Sequence, residues 1–141
     1  MTNQLKIKDI INKIIAFCMV KGVQPEELVT AIFDNEYESI ETIKKNGMVH
    51  LIITYQESIE DSHSIVKTRY IYDNERRLQI VDQKINSSPY KTQWDRKSKL
   101  NILLDELALL VSSRDSLIEV IKDTIPNELR SVIYPQLKIA C

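Results

Sequence analysis

The chain has 141 residues, of which 43% are hydrophobic and 28% charged, and its 19 basic residues nearly balance 20 acidic ones. A chain of this length can bury a core without a disulfide or a metal, so we expect one domain spanning residues 1–141. The near-zero net charge disfavours a protein that binds DNA, RNA or anionic lipid with its whole surface.

The rare residues exclude several kinds of site. Gly22 and Gly47 are the only glycines and lie far apart, so the chain has neither a P-loop nor a GxGxxG dinucleotide-binding loop. Cys18 and Cys141 form no CxxC pair, which excludes a ribbon-type zinc site, and the apolar neighbours of Cys18 predict a buried thiol. We therefore expect no cofactor and no metal.

No apolar run is long enough to span a membrane, and the first residues lack the apolar segment and cleavage site of a signal peptide. We therefore expect a cytoplasmic protein with no membrane partner. Isoleucine occurs 21 times and alanine only four times. This bias is typical of an AT-rich genome, such as that of a low-GC bacterium or one of its phages.

Helical spacing dominates residues 1–46. Apolar residues recur every three or four positions in Leu5–Val20, which predicts an amphipathic helix. Gly22 suits the end of this helix, and a second helix is predicted over 25–33 because proline is favoured in a first helical turn. The apolar spacing in 37–43 predicts a third, shorter helix, which ends at Asn46 and Gly47.

The period changes to two within residues 48–86. Three stretches rich in β-branched and aromatic residues, Met48–Gln56, Ile65–Tyr72 and Arg77–Ile85, predict a three-stranded antiparallel meander. Between the first two strands, apolar side chains oppose one another when Tyr55 pairs with Val66, Leu51 with Tyr70 and Val49 with Tyr72. Between the second and third strands, they oppose one another when Tyr70 pairs with Ile80 and Tyr72 with Leu78. We expect helices to cover the resulting apolar face, which comprises Val49, Leu51, Ile53, Tyr55, Val66, Tyr70, Tyr72, Leu78 and Ile80.

A polar stretch, 86–99, leads into a second helical region, 97–137. A wide apolar stripe in Leu100–Val111 predicts a helix that is buried on more than one side. Another helix is predicted to begin at 112–115, and a last one at Thr124 with a proline in its first turn. The order α-α-β-β-β-α-α-α predicts an α+β domain with one antiparallel sheet packed on helices.

The clearest candidate for chemistry is an acidic cluster with one histidine, Glu57, Glu60, Asp61 and His63, which could bind a divalent metal or supply a general acid and base. His50 cannot join it, because the predicted pairing places the two histidines roughly 26 Å apart along the ladder. Ser62, His63 and Ser64 are neighbours on one loop, whereas the members of a catalytic triad converge from different parts of a fold. We interpret the cluster as a solvated loop.

The middle of the chain is positively charged. Residues 64–99 contain nine basic and four acidic side chains, a local net charge of +5. The predicted register places Lys67, Arg69 and Arg77 on the sheet face opposite the helices, with Ile52, Ile71 and Val81, and Tyr90 and Trp94 follow. This pattern fits a solvated face, a protein interface, or a surface where aromatic rings stack on the bases of single-stranded nucleic acid.

The opposite charge gathers in 25–42, which holds six acidic residues and no basic one. The turn at Gly22 has the spacing of a helix-turn-helix corner, but a recognition helix must approach phosphates and the second helix here is acidic. We therefore predict a packed helical corner. An acidic strip and a basic patch on one small protein also favour self-association or docking to a charged protein.

These observations favour a small non-enzymatic protein-binding module, such as a regulator, adaptor, inhibitor or immunity-type factor, whose partner is another protein or a second copy. The candidate partner-binding residues are Lys67, Arg69, Ile71, Arg77, Val81, Tyr90 and Trp94. One alternative is a nucleic-acid-binding protein that uses the same surface and residues 90–99. The other is a small-molecule sensor or enzyme with a pocket lined by Tyr55, Tyr70 and Tyr72, although these rings also suit a core. Arg69→Glu is predicted to abolish partner capture and leave the thermal midpoint nearly unchanged.

Overall fold

The computed structural model describes residues 2–138, so Cys141 lies outside the described residues. Within them the chain has five helices and a five-stranded antiparallel sheet, which confirms the α+β class. No helix in this range is long and apolar enough to cross a membrane. The helices are α1 (Asn3–Met19), α2 (Pro25–Val29), α3 (Arg96–Leu110), α4 (Arg114–Thr124) and α5 (Arg130–Ile133), and the strands are β1 (Tyr37–Lys45), β2 (Met48–Ile59), β3 (Ser62–Tyr72), β4 (Leu78–Ile85) and β5 (Lys91–Asp95).

The chain divides into two compact units. The helical unit comprises the chain up to Val20 and from Lys97 onward, and the sheet unit comprises Lys21–Arg96. The organisation of 1–141 as a single domain stays a prediction.

The helical unit follows its apolar spacing closely. The Thr2 hydroxyl caps α1 by accepting a hydrogen bond from the Leu5 amide at 3.3 Å, and Ser113 caps α4 in the same way. Cys18 is buried, as predicted. Three leucines of the α3 stripe, Leu100, Leu104 and Leu107, are buried, and Leu103 and Leu110 are half-buried. The core of this unit comprises Ile10, Ile11, Ile14, Cys18, Leu100, Leu104, Leu107, Leu117, Ile121, Ile125, Leu129, Ile133 and Tyr134.

The predicted last helix is much shorter in the structure. Thr124 ends α4, and its hydroxyl donates to the Val120 carbonyl at 2.6 Å instead of capping a new helix. Pro126 lies ahead of a 3-10 turn, Asn127–Leu129, and α5 has only four residues before a further 3-10 turn at Pro135–Leu137. Each proline lacks the amide that a continuous helix would need, so the segment breaks into single turns.

The prediction of a third helix at 37–43 is wrong, because these residues lie in β1. Asn46 and Gly47 have φ values of 52° and 75°, and Lys45 pairs with Met48, which together make a two-residue hairpin turn with both central residues left-handed. This turn directs the preceding chain back along β2. A bulge between Tyr37 and Ser39 breaks the strict alternation, so Tyr37 and Ile40 share one face although they are three residues apart, as on a helix, while Ile43 lies on the other face.

The predicted polar stretch 86–99 also contains a strand. Lys91–Asp95 forms β5 at the other edge of the sheet, so the meander has five strands in sequence order, not three. Lys91, Thr92 and Gln93 are all exposed. An edge strand is held by backbone hydrogen bonds along one side and needs no apolar alternation, which is why its composition was uninformative.

The predicted register holds fully for one pair of strands and partly for the next. Between β2 and β3, Tyr55 pairs with Val66, Leu51 with Tyr70 and Val49 with Tyr72, as predicted. Between β3 and β4, Tyr72 pairs with Leu78 as predicted, but Tyr70 pairs with Val81 and Ile80 pairs with Ile71. The shift arises from a bulge opposite Tyr72, where β4 has one extra residue between Leu78 and Ile80. As a result, Ile80 and Val81 lie on the faces opposite to those predicted.

One face of the sheet carries the core of this unit, and we call it the Leu51 face. Leu51, Ile53, Tyr72 and Leu78 are buried there, and Val23 and Leu28 from the segment that contains α2 pack against them. The expected helical cover of this face is thus confirmed for one short helix. The opposite face, which carries Ile52, Lys67, Arg69, Ile71, Ile80 and Asp82, is called the Arg69 face.

Leu78 connects both ends of the sheet unit through its backbone. Its amide donates to the Lys21 carbonyl at 2.8 Å, and its carbonyl accepts from Arg96 Nε at 2.6 Å. Gly22 lies so close that a Cβ placed on it would be 2.9 Å from Leu78 Cβ, and its φ is +91°. The first and last residues of the unit therefore meet at one position on β4.

Candidate partner-binding face

The centre of the Arg69 face is an ion pair under an aromatic ring. Arg69 and Asp82 are directly opposite each other on β3 and β4, and the guanidinium donates to both carboxylate oxygens, at 2.9 and 2.7 Å. Tyr90 lies over it, with its ring centroid 3.9 Å from the guanidinium carbon. The hydrogen bond to Asp82 raises the pKa of Arg69, which therefore remains fully charged.

Tyr90 contacts two cations of the Arg69 face. Besides the Arg69 contact, Lys84 Nζ lies 5.6 Å from its ring centroid, within the range of a cation–π interaction. The loop from Asn86 to Tyr90 begins with a left-handed Asn86, whose side chain accepts from the Ile65 amide at 2.9 Å. These contacts fix the ring against the sheet.

The charge of Arg77, in the turn between β3 and β4, is neutralised by carboxylates of the same turn. Arg77 Nε donates to Asp73 at 2.9 Å, and its guanidinium lies 3.3 Å from Glu75. Asp73 also accepts from the Glu75 and Arg77 amides and from Gln79, so one carboxylate organises the β3–β4 turn. Burial raises the pKa of Asp73, but these hydrogen bonds outweigh it and hold the pKa below its ordinary value.

The structure divides six of the seven candidate residues between two faces, and the seventh, Arg77, lies in the β3–β4 turn. Lys67, Arg69 and Ile71 lie on the Arg69 face with Tyr90, although Ile71 is buried and offers little surface. Val81 and Trp94 pack on the Leu51 face instead, because the bulge beside Tyr72 turns Val81 over and Trp94 pairs with it. The candidate surface therefore shrinks to the part around Arg69 and Tyr90.

The residue that sequence reasoning missed is Asp82. It is buried at 6% exposure and neutralises the most central cation of the face, yet in the sequence it is one carboxylate in a basic region. Opposite charges on facing positions of neighbouring strands are a recognisable signal. The Arg69–Asp82 pair can be recognised only when the register of β3 and β4, including its bulge, is known.

The other sequence candidates are not assembled into sites. His63 pairs with Ser58 and His50 with Ile71, so the histidines are far apart on the ladder as predicted, and His63 Nδ1 is 2.8 Å from the Ser58 hydroxyl. Among residues 2–138 no group of three or more potential ligands could hold a metal. Burial, followed by the charges of Arg69 and Lys45, lowers the pKa of His50.

The three candidate pocket tyrosines lie on the Leu51 face and are used in packing. Tyr72 is buried, and its hydroxyl donates to the Val23 carbonyl at 2.6 Å. Tyr55 packs against Tyr37 with ring centroids 5.3 Å apart, and its hydroxyl accepts from Gln83. A groove of about 400 Å3 opens beside Tyr72, but Arg76 on its rim is already bound to Glu26 through both carboxylate oxygens.

The chain matches no protein-family model, and comparisons with curated proteins and with solved structures find no match.

Proposed function

We propose that the protein acts by binding another protein through the Arg69 face, as a regulator, adaptor or inhibitor rather than as a catalyst. The observation that carries this proposal is the Arg69–Asp82 pair with Tyr90 stacked over it. This group presents an aromatic ring and a charged pair in a fixed arrangement, and residues of these kinds dominate the binding energy of protein interfaces.

The charge balance of the face supports a protein partner over nucleic acid. A phosphate backbone is bound by cations that exchange their counterions for phosphate. Arg69 and Arg77 are instead engaged by carboxylates of the same chain. The described strands place three other cations on this face: Lys67 and Lys84, which face each other across β3 and β4, and Lys45 at the end of β1. These are too few for strong binding to a polyanion.

Rigidity supports the same proposal. Association is opposed by the entropy lost when flexible side chains become ordered at an interface. Tyr90 and Arg69 are already held before any partner arrives, Arg69 by two hydrogen bonds and Tyr90 by two cation–π contacts. Half-buried Ile52 and Ile80 add apolar surface to the same face.

The test is capture of partners by the tagged full-length protein from a native lysate of the organism that encodes it, with nuclease present. Tyr90→Ala should weaken the affinity for the captured protein by about 30-fold or more, the effect of losing one interface hot spot. Tyr37→Ala is the matched control, because it removes a half-buried tyrosine ring from the Leu51 face of the same sheet. We expect the control to retain the partner.

Three outcomes would overturn the proposal: equal capture by both tyrosine variants, loss of capture by the control alone, or recovery of nucleic acid only. Arg69→Glu is a poorer probe than the sequence suggested. It would place two carboxylates opposite each other with Asp82 at 9% side-chain exposure, so we now expect it also to lower the free energy of unfolding.

A further inference from the structure

Among residues 2–138, no strand pairs with the outer edge of β1. β1 is the first strand in the sheet order and so has a neighbour on one side only. The five residues Glu41, Thr42, Ile43, Lys44 and Lys45 are all exposed, and Ile43 has an exposed fraction of 47%. An open edge of this length presents a row of unpaired amides and carbonyls to another strand.

The hairpin turn determines which backbone groups point outward. In a two-residue hairpin the residues that flank the turn, here Lys45 and Met48, form a hydrogen-bonded pair. Because the pattern alternates, Ile43 and Glu41 also bond to β2. The amides and carbonyls of Thr42 and Lys44 therefore point to the free side of the strand.

The charges along this edge are complementary to themselves. Glu41 and Lys45 lie two residues before and two residues after Ile43, on the same face of the strand. If β1 pairs antiparallel with the β1 of a second copy around a two-fold axis at Ile43, each Glu41 faces the Lys45 of the other copy. The two exposed Ile43 side chains meet at the axis, and Thr42 exchanges backbone hydrogen bonds with the other copy's Lys44.

Other registers lack this match. An axis at Thr42 places Glu41 opposite Ile43 and Ile40 opposite Lys44, and an axis at Glu41 places the two Glu41 carboxylates against each other. An axis at Lys44 brings two lysines together. Charged residues on an edge usually oppose strand addition. Of the registers centred from Glu41 to Lys45, only the one at Ile43 places opposite charges against each other without also bringing like charges together.

We propose that the protein forms a two-fold dimer in which the β1 strands of two copies pair antiparallel about Ile43. This proposal goes beyond the proposed function, because it uses the sheet edge and requires no other protein. The axis is perpendicular to the sheet, so the two sheets join into one of ten strands, and both Arg69 faces lie on the same side of it.

The first experiment measures the mass of the purified full-length protein by light scattering and sedimentation over a range of concentrations. We expect a dimer for the natural chain. Glu41→Lys and Lys45→Glu should each raise the dissociation constant about tenfold or more, because like charges then face each other. The double variant Glu41→Lys/Lys45→Glu restores opposite charges and should restore the dimer. Lys122→Glu is the control, because it makes the same charge change as Lys45→Glu at an exposed position of α4, and it should leave the dimer intact.

Two further measurements separate this dimer from any other. Thr42→Pro removes an amide that β2 does not use, so it should abolish the dimer while the monomer stays folded by circular dichroism. In hydrogen exchange, the Thr42 and Lys44 amides should become protected only as the concentration rises. A monomer at every concentration, a dimer unaffected by the charge reversals, or a double variant that is not rescued would overturn the proposal.

Discussion

The helical unit and the sheet unit are stabilised in different ways. Helices from the two ends of the chain share one apolar cluster, whose buried members come from α1, α3, α4, α5 and the turns on either side of α5. The sheet unit is a meander in which each strand pairs with its sequence neighbour, and its small apolar cluster is supplemented by directional polar bonds. Tyr72 bonds to Val23, Arg69 to Asp82 and Leu78 to both ends of the unit.

This difference shows which variants each unit should tolerate. Burial of apolar area is non-directional, so the helical unit depends on the volume that its side chains fill. Hydrogen bonds and strand register depend on direction, so the sheet unit depends on backbone conformation and on single polar atoms. Three substitutions test this contrast, from the largest expected effect to the smallest.

Leu107→Ala should have the largest effect. Leu107 is fully buried in the helical unit, and its truncation should lower the free energy of unfolding by about 2–5 kcal/mol, from lost burial and the cavity that remains. Urea unfolding followed by circular dichroism measures this. Leu109→Ala, on the same helix at 86% exposure, is the control and should have little effect.

The same variant also tests whether the two units unfold separately. Trp94 is the only tryptophan and lies in the sheet unit, so its fluorescence reports on that unit. We expect Leu107→Ala to shift the dichroism transition more than the fluorescence transition. Equal shifts would mean that the units unfold as one cooperative structure, and the contrast between them would then be structural only.

Gly22→Ala should have the next largest effect, in the sheet unit. The left-handed φ of Gly22 is unfavourable for alanine, and the new Cβ would lie 2.9 Å from Leu78 Cβ. Strain and overlap together should lower the free energy of unfolding by at least about 2 kcal/mol. Gly47→Ala is the matched control, because Gly47 also has a left-handed φ, +75°, but nothing lies within 4 Å of the added Cβ. It should lower the free energy of unfolding by about 1 kcal/mol. Equal losses in thermal or urea unfolding would show that the contact with Leu78 contributes nothing.

Tyr72→Phe should have the smallest effect and a characteristic pH dependence. Loss of the hydrogen bond to Val23 should lower the free energy of unfolding by about 0.5–1.5 kcal/mol near neutral pH. Burial, with a smaller contribution from Tyr70, raises the pKa of Tyr72 to about 12. The unfolded value is about 10, so the folded state favours the neutral phenol. The contribution of the Tyr72 phenol to the free energy of unfolding is complete below pH about 10 and is lost as the pH rises through about 12.

Urea midpoints measured across this alkaline range check the assignment. The natural chain should lose stability more steeply than Tyr72→Phe between pH about 10 and about 12, because only the natural chain must keep this phenol protonated. Parallel curves for the two proteins would contradict the assigned environment of Tyr72.

The sequence predicted most where side chains alone decide the structure. α1 and the stripe of α3 were found from the period of their apolar residues, and the β2–β3 register from the opposition of Tyr55 and Val66. In each case burial of one face leaves a pattern that is independent of distant residues.

The edges of the sheet could not be found in that way, since they are held by the backbone. The polar stretch of β5 carries no apolar pattern, and the bulge in β1 imitates a helix. One local signal does predict the β1–β2 hairpin, because Asn-Gly is the strongest short-range hairpin signal, although the same pair also suits the end of a helix.

The composition of the candidate face depends on a one-residue shift in the register between β3 and β4. The bulge beside Tyr72 moved Val81 to the Leu51 face and brought Asp82 opposite Arg69. A bulge depends on tertiary fit, so the composition of residues 64–99 could indicate a basic region but not its internal neutralisation.

The backbone contacts of Leu78 with Lys21 and Arg96 affect the topology of the whole chain. They hold the two ends of residues 21–96 beside each other, so from the helical side this long segment behaves as a short loop between α1 and α3. The entropy of closing that loop is small once the sheet has formed. The sheet unit thus has the connectivity of an inserted module, which evolution can gain, lose or exchange without changing the order of the helices in the helical unit.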